Sequence, residues 1–109
     1  MNKDFRMINL RIRDLISHGV VNPYIGEAVM SVPIKIEGVN AHARTHGISI
    51  EQAQSFIDTS EIMFIQGDRT MYLSKDGSAT VIVENRRLIS AYSRENFDPA
   101  IKAILEVLD

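Results

Sequence analysis

Ile62-Met63-Phe64-Ile65-Gln66, Thr70-Met71-Tyr72-Leu73-Ser74, Ala79-Thr80-Val81-Ile82-Val83 and Leu88-Ile89-Ser90-Ala91-Tyr92 are four runs that decide the fold. Each has the length and the β-branched or aromatic content of a strand. Gly67-Asp68, Lys75-Asp76-Gly77 and Glu84-Asn85-Arg86 separate them, and all three are turn sequences. Connections this short force antiparallel neighbours, so residues 62–92 read as a four-stranded antiparallel meander.

Helices flank this meander. On its C-terminal side, Asp98-Pro99 places an N-cap residue before a first-turn proline. Phe97, Ile101, Ile104, Leu105 and Leu108 then form the buried stripe of a last helix. On its N-terminal side, Ser49 with Gln52 three residues later is a capping box, and Ile48 with Ala53 can close the hydrophobic staple. That helix runs to about Asp58. Further back, Val32, Ile34 and Ile36 alternate with Pro33, Lys35 and Glu37, as in a half-buried strand. Pro33 favours a sheet edge. Glu37-Gly38-Val39-Asn40 reads as a hairpin turn returning into a strand from Ala41 to Thr45. Phe5, Ile8, Ile12, Leu15 and Ile16 recur at steps of three and four, which is an amphipathic helix that stops at His18-Gly19.

The expected fold class is therefore α+β: N-terminal helix, short β-hairpin, helix, four-stranded antiparallel meander, C-terminal helix, in a single domain over 1–109. The helices are expected mainly on one face of the sheet, leaving the other face open to a ligand.

The chain of 109 residues has an ordinary globular composition, 45% hydrophobic and 24% charged. It has no cysteine, so disulfides, thiolate metal sites and cysteine nucleophiles are excluded. That composition fits a cytoplasmic protein. No run of residues has the length of a membrane span or the apolar core of a signal peptide. A net charge of −2 argues against a general nucleic-acid coat. Basic residues nevertheless outnumber acidic ones up to Ile48, which leaves room for a local basic cleft.

Chemistry concentrates in Ala41-His42-Ala43-Arg44-Thr45-His46-Gly47. In an extended chain His42, Arg44 and His46 share one face, beside the start of the following helix. Histidine can give or take a proton near neutrality, and arginine grips phosphate through two parallel hydrogen bonds. The set suits metal-independent cleavage of RNA, which needs a base, an acid and a cation. It equally suits a solvated edge strand. A zinc site lacks a third ligand, and Arg44 would repel the ion. Ser90, Tyr92 and Arg94 alternate on the last strand, with Tyr72 and Ser74 on another. Their outward face would be rich in hydroxyls and able to stack a base and hold phosphate; ordinary strand packing is the competing explanation. Lys75, Arg86 and Arg87 lie at hairpin tips, where charged residues commonly serve solubility alone.

Two short segments carry a resemblance. Thr45-His46-Gly47-Ile48-Ser49-Ile50-Glu51-Gln52-Ala53 is similar to the His-Gly-Val-Ser-Phe-Glu-Glu-Ala segment of BrnT-type toxins. Arg87-Leu88-Ile89-Ser90-Ala91 resembles their Arg-Ile-Ile-Ser-Ala segment. Together with the order of elements, the chain resembles the barnase–EndoU–colicin–RelE superfamily of small ribonuclease toxins over roughly Ala41 to Asn96. The resemblance implies a cytoplasmic ribonuclease with no metal or other cofactor, paired with an antitoxin or immunity protein. Only His46 and the Ser90-to-Arg94 strand match family positions; His42 and Arg44 rest on geometry. The acidic balance and small size favour a second reading, a non-catalytic protein-binding module.

Overall fold

The computed structural model describes residues 2–109. Its elements are α1 (Phe5–Ser17), β1 (Glu27–Met30), β2 (Gly38–Arg44), α2 (Ile50–Thr59), β3 (Ile62–Gln66), β4 (Arg69–Leu73), β5 (Ala79–Glu84), β6 (Arg87–Ser93) and α3 (Pro99–Leu108). Short 3-10 turns at Pro23–Ile25 and Arg94–Asn96 precede β1 and α3.

The helix starts follow their capping residues. Asp4 accepts from the Met7 N–H and Asp98 from the Ile101 N–H. Ser49 and Gln52 complete the reciprocal capping box of α2. The β5–β6 turn carries Asn85 and Arg86 at φ +50° and +60°. Two successive left-handed residues match the right-handed twist of the flanking strands.

The sheet has six strands in the order β1-β3-β4-β5-β6-β2 and is mixed. β3 to β6 each run antiparallel to the next. β1 adds antiparallel to β3, and β2 adds parallel to β6 at the opposite edge. The expected short hairpin of 32–37 with 41–45 therefore does not form: the first segment joins no ladder, and β2 pairs with β6 instead. β1 falls at 27–30, too short a run for alternation to reveal. Gly26 leads into it at φ +80°, where a Cβ would overlap the Ile65 carbonyl, so only glycine lets the chain press onto β3 there.

Residues 32–37, expected as a strand, are an extended strap that joins no ladder and is tied at its ends by the Ser31 N–H to the Glu61 carbonyl at 3.1 Å and the Glu37 N–H to the Arg86 carbonyl at 2.7 Å. The strap must cross five inter-strand gaps of roughly 4.8 Å, about 24 Å in all. Eight residue steps from Met30 to Gly38 reach only about 27 Å when fully extended. The chain is taut by necessity, and its alternation reflects burial of one side. Side chains replace the missing ladder. The Gln54 amide donates to the Ile34 carbonyl and accepts from the Ile36 N–H, both at 2.8 Å. The Tyr72 hydroxyl donates to the Val32 carbonyl at 2.6 Å.

Both faces of the sheet are covered, which corrects the expectation of one open face. Strap and α2 enclose Ile36, Ala53, Ile57, Tyr72, Val81 and Leu88 on one side. On the other, α1 and α3 pack Ile8, Ile12, Ile101 and Ile104 against Phe64 and Met71. On this second side Ile82, Ser90 and Tyr92 are only half-buried.

Candidate functional site

The pairing of β2 with β6 builds a small polar row at the edge of that half-covered side. Arg44 stands opposite Ser90, whose hydroxyl donates to the Arg44 carbonyl at 3.2 Å. Residues in register share a face, so Arg44 lies on the side of Ser90 and, two residues on, Tyr92. β2 ends at Arg44, and Thr45 to Gly47 turn the chain, closed by Ile48 N–H to the Thr45 carbonyl at 2.9 Å. His46 is left-handed at φ +49°. That turn brings its ring back onto β6. His46 Nδ1 lies 3.0 Å from the Ala91 carbonyl, and the ring meets Tyr92 edge-on at 6.0 Å. Tyr92 meets Phe97 edge-on at 5.7 Å, and buried Phe97 anchors the row in the α3 core.

The protonation pattern of neutral His46 follows from its partner. A carbonyl only accepts, so Nδ1 carries the proton and donates. Nε2 is then the basic nitrogen with a free lone pair. A base held in one tautomer thus lies two residues from exposed Arg44. Among the described residues, no three His, Asp or Glu side chains converge as a metal-binding group.

The other candidates are distributed differently. His42 lies where β2 bulges: four residues, 40–43, stand against Ile89 alone on β6. Its backbone N–H bonds the Asn40 side chain at 3.0 Å, and it has no registered partner on β6. The bulge and the turn at His46 break the period of two, so the expected common face of His42, Arg44 and His46 does not form; Arg44 and His46 remain together through β6.

The expected hydroxyl-rich face also does not form. Tyr72 pairs with Val81, and Val81 with Ala91, which puts Tyr72 on the face opposite Ser90 and Tyr92. Tyr72 is 2% exposed, and burial raises its phenol pKa. Ser74 is buried too: it donates to Asp76 and accepts the Ala79 N–H, each at 2.9 Å. Both residues close structure instead of facing a ligand. Arg94 is turned to the β4–β5 hairpin, donating to the Gly77 carbonyl at 3.2 Å and the Asp76 carbonyl at 3.4 Å. Arg87 likewise donates to the Val39 carbonyl at 3.0 Å, and Arg86 pairs with Glu37 at 3.4 Å.

The sequence pattern gave no sign of a cleft of about 340 Å³ next to Tyr92. Its floor is Met71, Ile82 and Ile101; its rim carries Tyr24, Gln66, Arg69 and Asp98. Tyr24 is 86% exposed. Asn22 and Pro23 fix it in the turn before β1, where the Asn22 side chain accepts the Tyr24 N–H at 2.9 Å. The Asn-Pro pair signals that turn in the sequence, but the sheet residues that complete the cleft come from four separate strands and cannot be assembled from spacing.

Comparison of the chain with protein-family models, curated proteins and solved structures finds no match. No helix among the described residues is long and apolar enough to cross a membrane.

Proposed function

We propose that this chain is a small metal-independent ribonuclease of toxin type, acting on RNA phosphodiesters at the β2–β6 edge. The observation that carries the reading is His46, held by the Ala91 carbonyl in the tautomer of a general base, beside Arg44. In this mechanism Nε2 takes the proton of a ribose 2′-hydroxyl. The 2′-oxygen attacks the adjacent phosphorus and the bond to the 5′-oxygen breaks. The leaving oxygen takes a proton from solvent at this open edge, and a 2′,3′-cyclic phosphate remains. Arg44 binds the phosphate and offsets the charge that grows on it in the transition state. Ser90 holds the Arg44 backbone, and Tyr92 orients the imidazole. The resemblance over Ala41 to Asn96 supports the same reading and brings with it a cytoplasmic setting and an antitoxin or immunity protein as partner.

The test is incubation with RNA in chelator, beside His46→Ala. Cleavage should leave cyclic phosphate ends, and the variant should lose about 10²–10⁴-fold of the rate. Unchanged cleavage by a folded His46→Ala protein removes His46 from the mechanism.

A second reading, a protein-binding module, is favoured by one apolar surface. Val32 and Ile65, 58% and 48% exposed, flank half-buried Met63 at the β1 end of the strap side. The outer edge of β1 is not the docking route, because the Asn9 amide already bonds the Ala28 N–H and carbonyl at 2.8 and 2.9 Å. A stable protein complex without any RNA cleavage selects this reading.

A further inference from the structure

We infer that the cleft between Tyr24 and Tyr92 is a nucleobase subsite that takes the flat ring of any of the four bases. The inference rests on the nuclease reading for its biological meaning, though not for its test. Four observations converge on it.

The cleft shares a wall with the candidate catalytic row. Tyr92 lines it on one side and meets the His46 ring on the other. A phosphate at Arg44 and His46 therefore has this cleft as a neighbour for an attached base. Its volume, about 340 Å³, lies at the small end of the roughly 300–1,000 Å³ typical of ligand pockets. One nucleoside fits; an oligonucleotide does not.

The lining suits a flat apolar body with polar edges. Met71, Ile82 and Ile101 make an apolar floor. Tyr24 stands at the rim, 86% exposed, in a turn fixed by Asn22 and Pro23. An exposed aromatic ring on a fixed turn loses little entropy when a base stacks on it, and base–aromatic stacking tolerates any ring.

The rim supplies partners for the polar edge of the ring. Arg69 is bound through Nε to Glu84 at 3.3 Å, which leaves its terminal nitrogens as donors only. Asp98 uses Oδ1 to cap α3 at 2.9 Å, which leaves Oδ2 as an acceptor only. A donor and an acceptor on one rim match the adjacent acceptor and donor on the pairing edge of a base. Guanine and uracil present them as a carbonyl and a ring N–H, adenine and cytosine as a ring nitrogen and an exocyclic amine. The rim therefore serves all four bases. The Asp98 carboxylate also disfavours a phosphate inside the cleft and so leaves that group to Arg44.

The experiment is titration of the intact protein with GMP, UMP, AMP, CMP and ribose 5-phosphate, followed by amide chemical shifts and repeated with Tyr24→Ala and Tyr24→Phe. All four nucleotides should bind and shift amides around Tyr24, Arg69 and Asp98, while ribose 5-phosphate should not. Tyr24→Ala should weaken them about tenfold or more, and Tyr24→Phe should restore binding, since the ring does the stacking. Tyr24 is exposed, so these variants leave the core intact. Equal shifts from ribose 5-phosphate, or an unchanged Kd in Tyr24→Ala, each overturn the subsite. Binding as expected without RNA cleavage keeps the subsite and removes the nuclease. Cleavage with no response to Tyr24→Ala does the reverse.

Discussion

Tyr72 and Tyr92 lie two strands apart in the same sheet, yet they inhabit opposite environments. Tyr72 is sealed beneath the strap, with its hydroxyl on the Val32 carbonyl. Tyr92 stands half-open between His46 and Phe97. Register separates them: Tyr72 and Ala91 both pair with Val81, so one residue further along β6 points through the other face. The strap and α2 close one side over the centre of the sheet. The helix pair leaves β5 and β6 half-covered on the other. Binding chemistry becomes available where the cover stops, and the same residue type serves packing on one face and exposure on the other.

The most severe way to break this contrast is truncation of each ring. Tyr72→Ala should cost about 3–5 kcal/mol, as expected for emptying a buried aromatic site. Tyr92→Ala should cost about 1–2 kcal/mol, since its ring is already half in water. Urea unfolding of both variants decides it. Equal losses would mean that the two faces are packed alike.

Gln54→Ala probes the strap alone. It removes the acceptor for the Ile36 N–H and the donor for the Ile34 carbonyl. Ile36 is buried, so its N–H is left without a partner, at a cost of about 1–3 kcal/mol. Amide exchange at Ile36 should accelerate while exchange in β5 follows only the global loss. Unchanged protection at Ile36 would show that the strap is held by its apolar side chains instead.

These differences bear on what was legible in the sequence. The strands β3 to β6 were readable because each is bounded by turn residues whose geometry enforces its neighbour. The capping residues Ser49 and Asp98 were readable because capping is local. Alternation misleads at the strap, because Ile34 and Ile36 alternate for burial and the pattern does not say whether a ladder or the Gln54 amide satisfies the backbone. The parallel pairing of β2 with β6 joins residues more than forty positions apart, which no local pattern encodes. The site follows the same division. Arg44 and His46 were found from spacing, but what unites them is β6. Tyr72, Ser74 and Arg94 have the residue types of a binding face, but their partners lie in contacts that only the folded chain brings together.

The smallest effect concerns the hairpin from β4 to β5, which joins the strand of Tyr72 to its neighbour. Asp76 accepts from the Ser78 hydroxyl at 2.6 Å, from the Ser78 N–H at 3.0 Å and from Ser74 at 2.9 Å. The Ser78 hydroxyl is the largest of the causes that hold its carboxyl below the ordinary value of 3.8. A carboxyl depressed on folding contributes stability above its unfolded pKa and loses it as pH falls through the folded one. Asp76→Asn should therefore unfold at a slightly lower urea concentration than the wild type at pH 7 and at pH 5. The gap should narrow only below about pH 4. Because Asp76 is exposed, water screens much of the effect. A gap that closes between pH 7 and pH 5 would assign it to a different group. A constant gap down to pH 2 would assign it to the shape of the turn, with Gly77 at φ +74° setting the hairpin whatever the charge beside it.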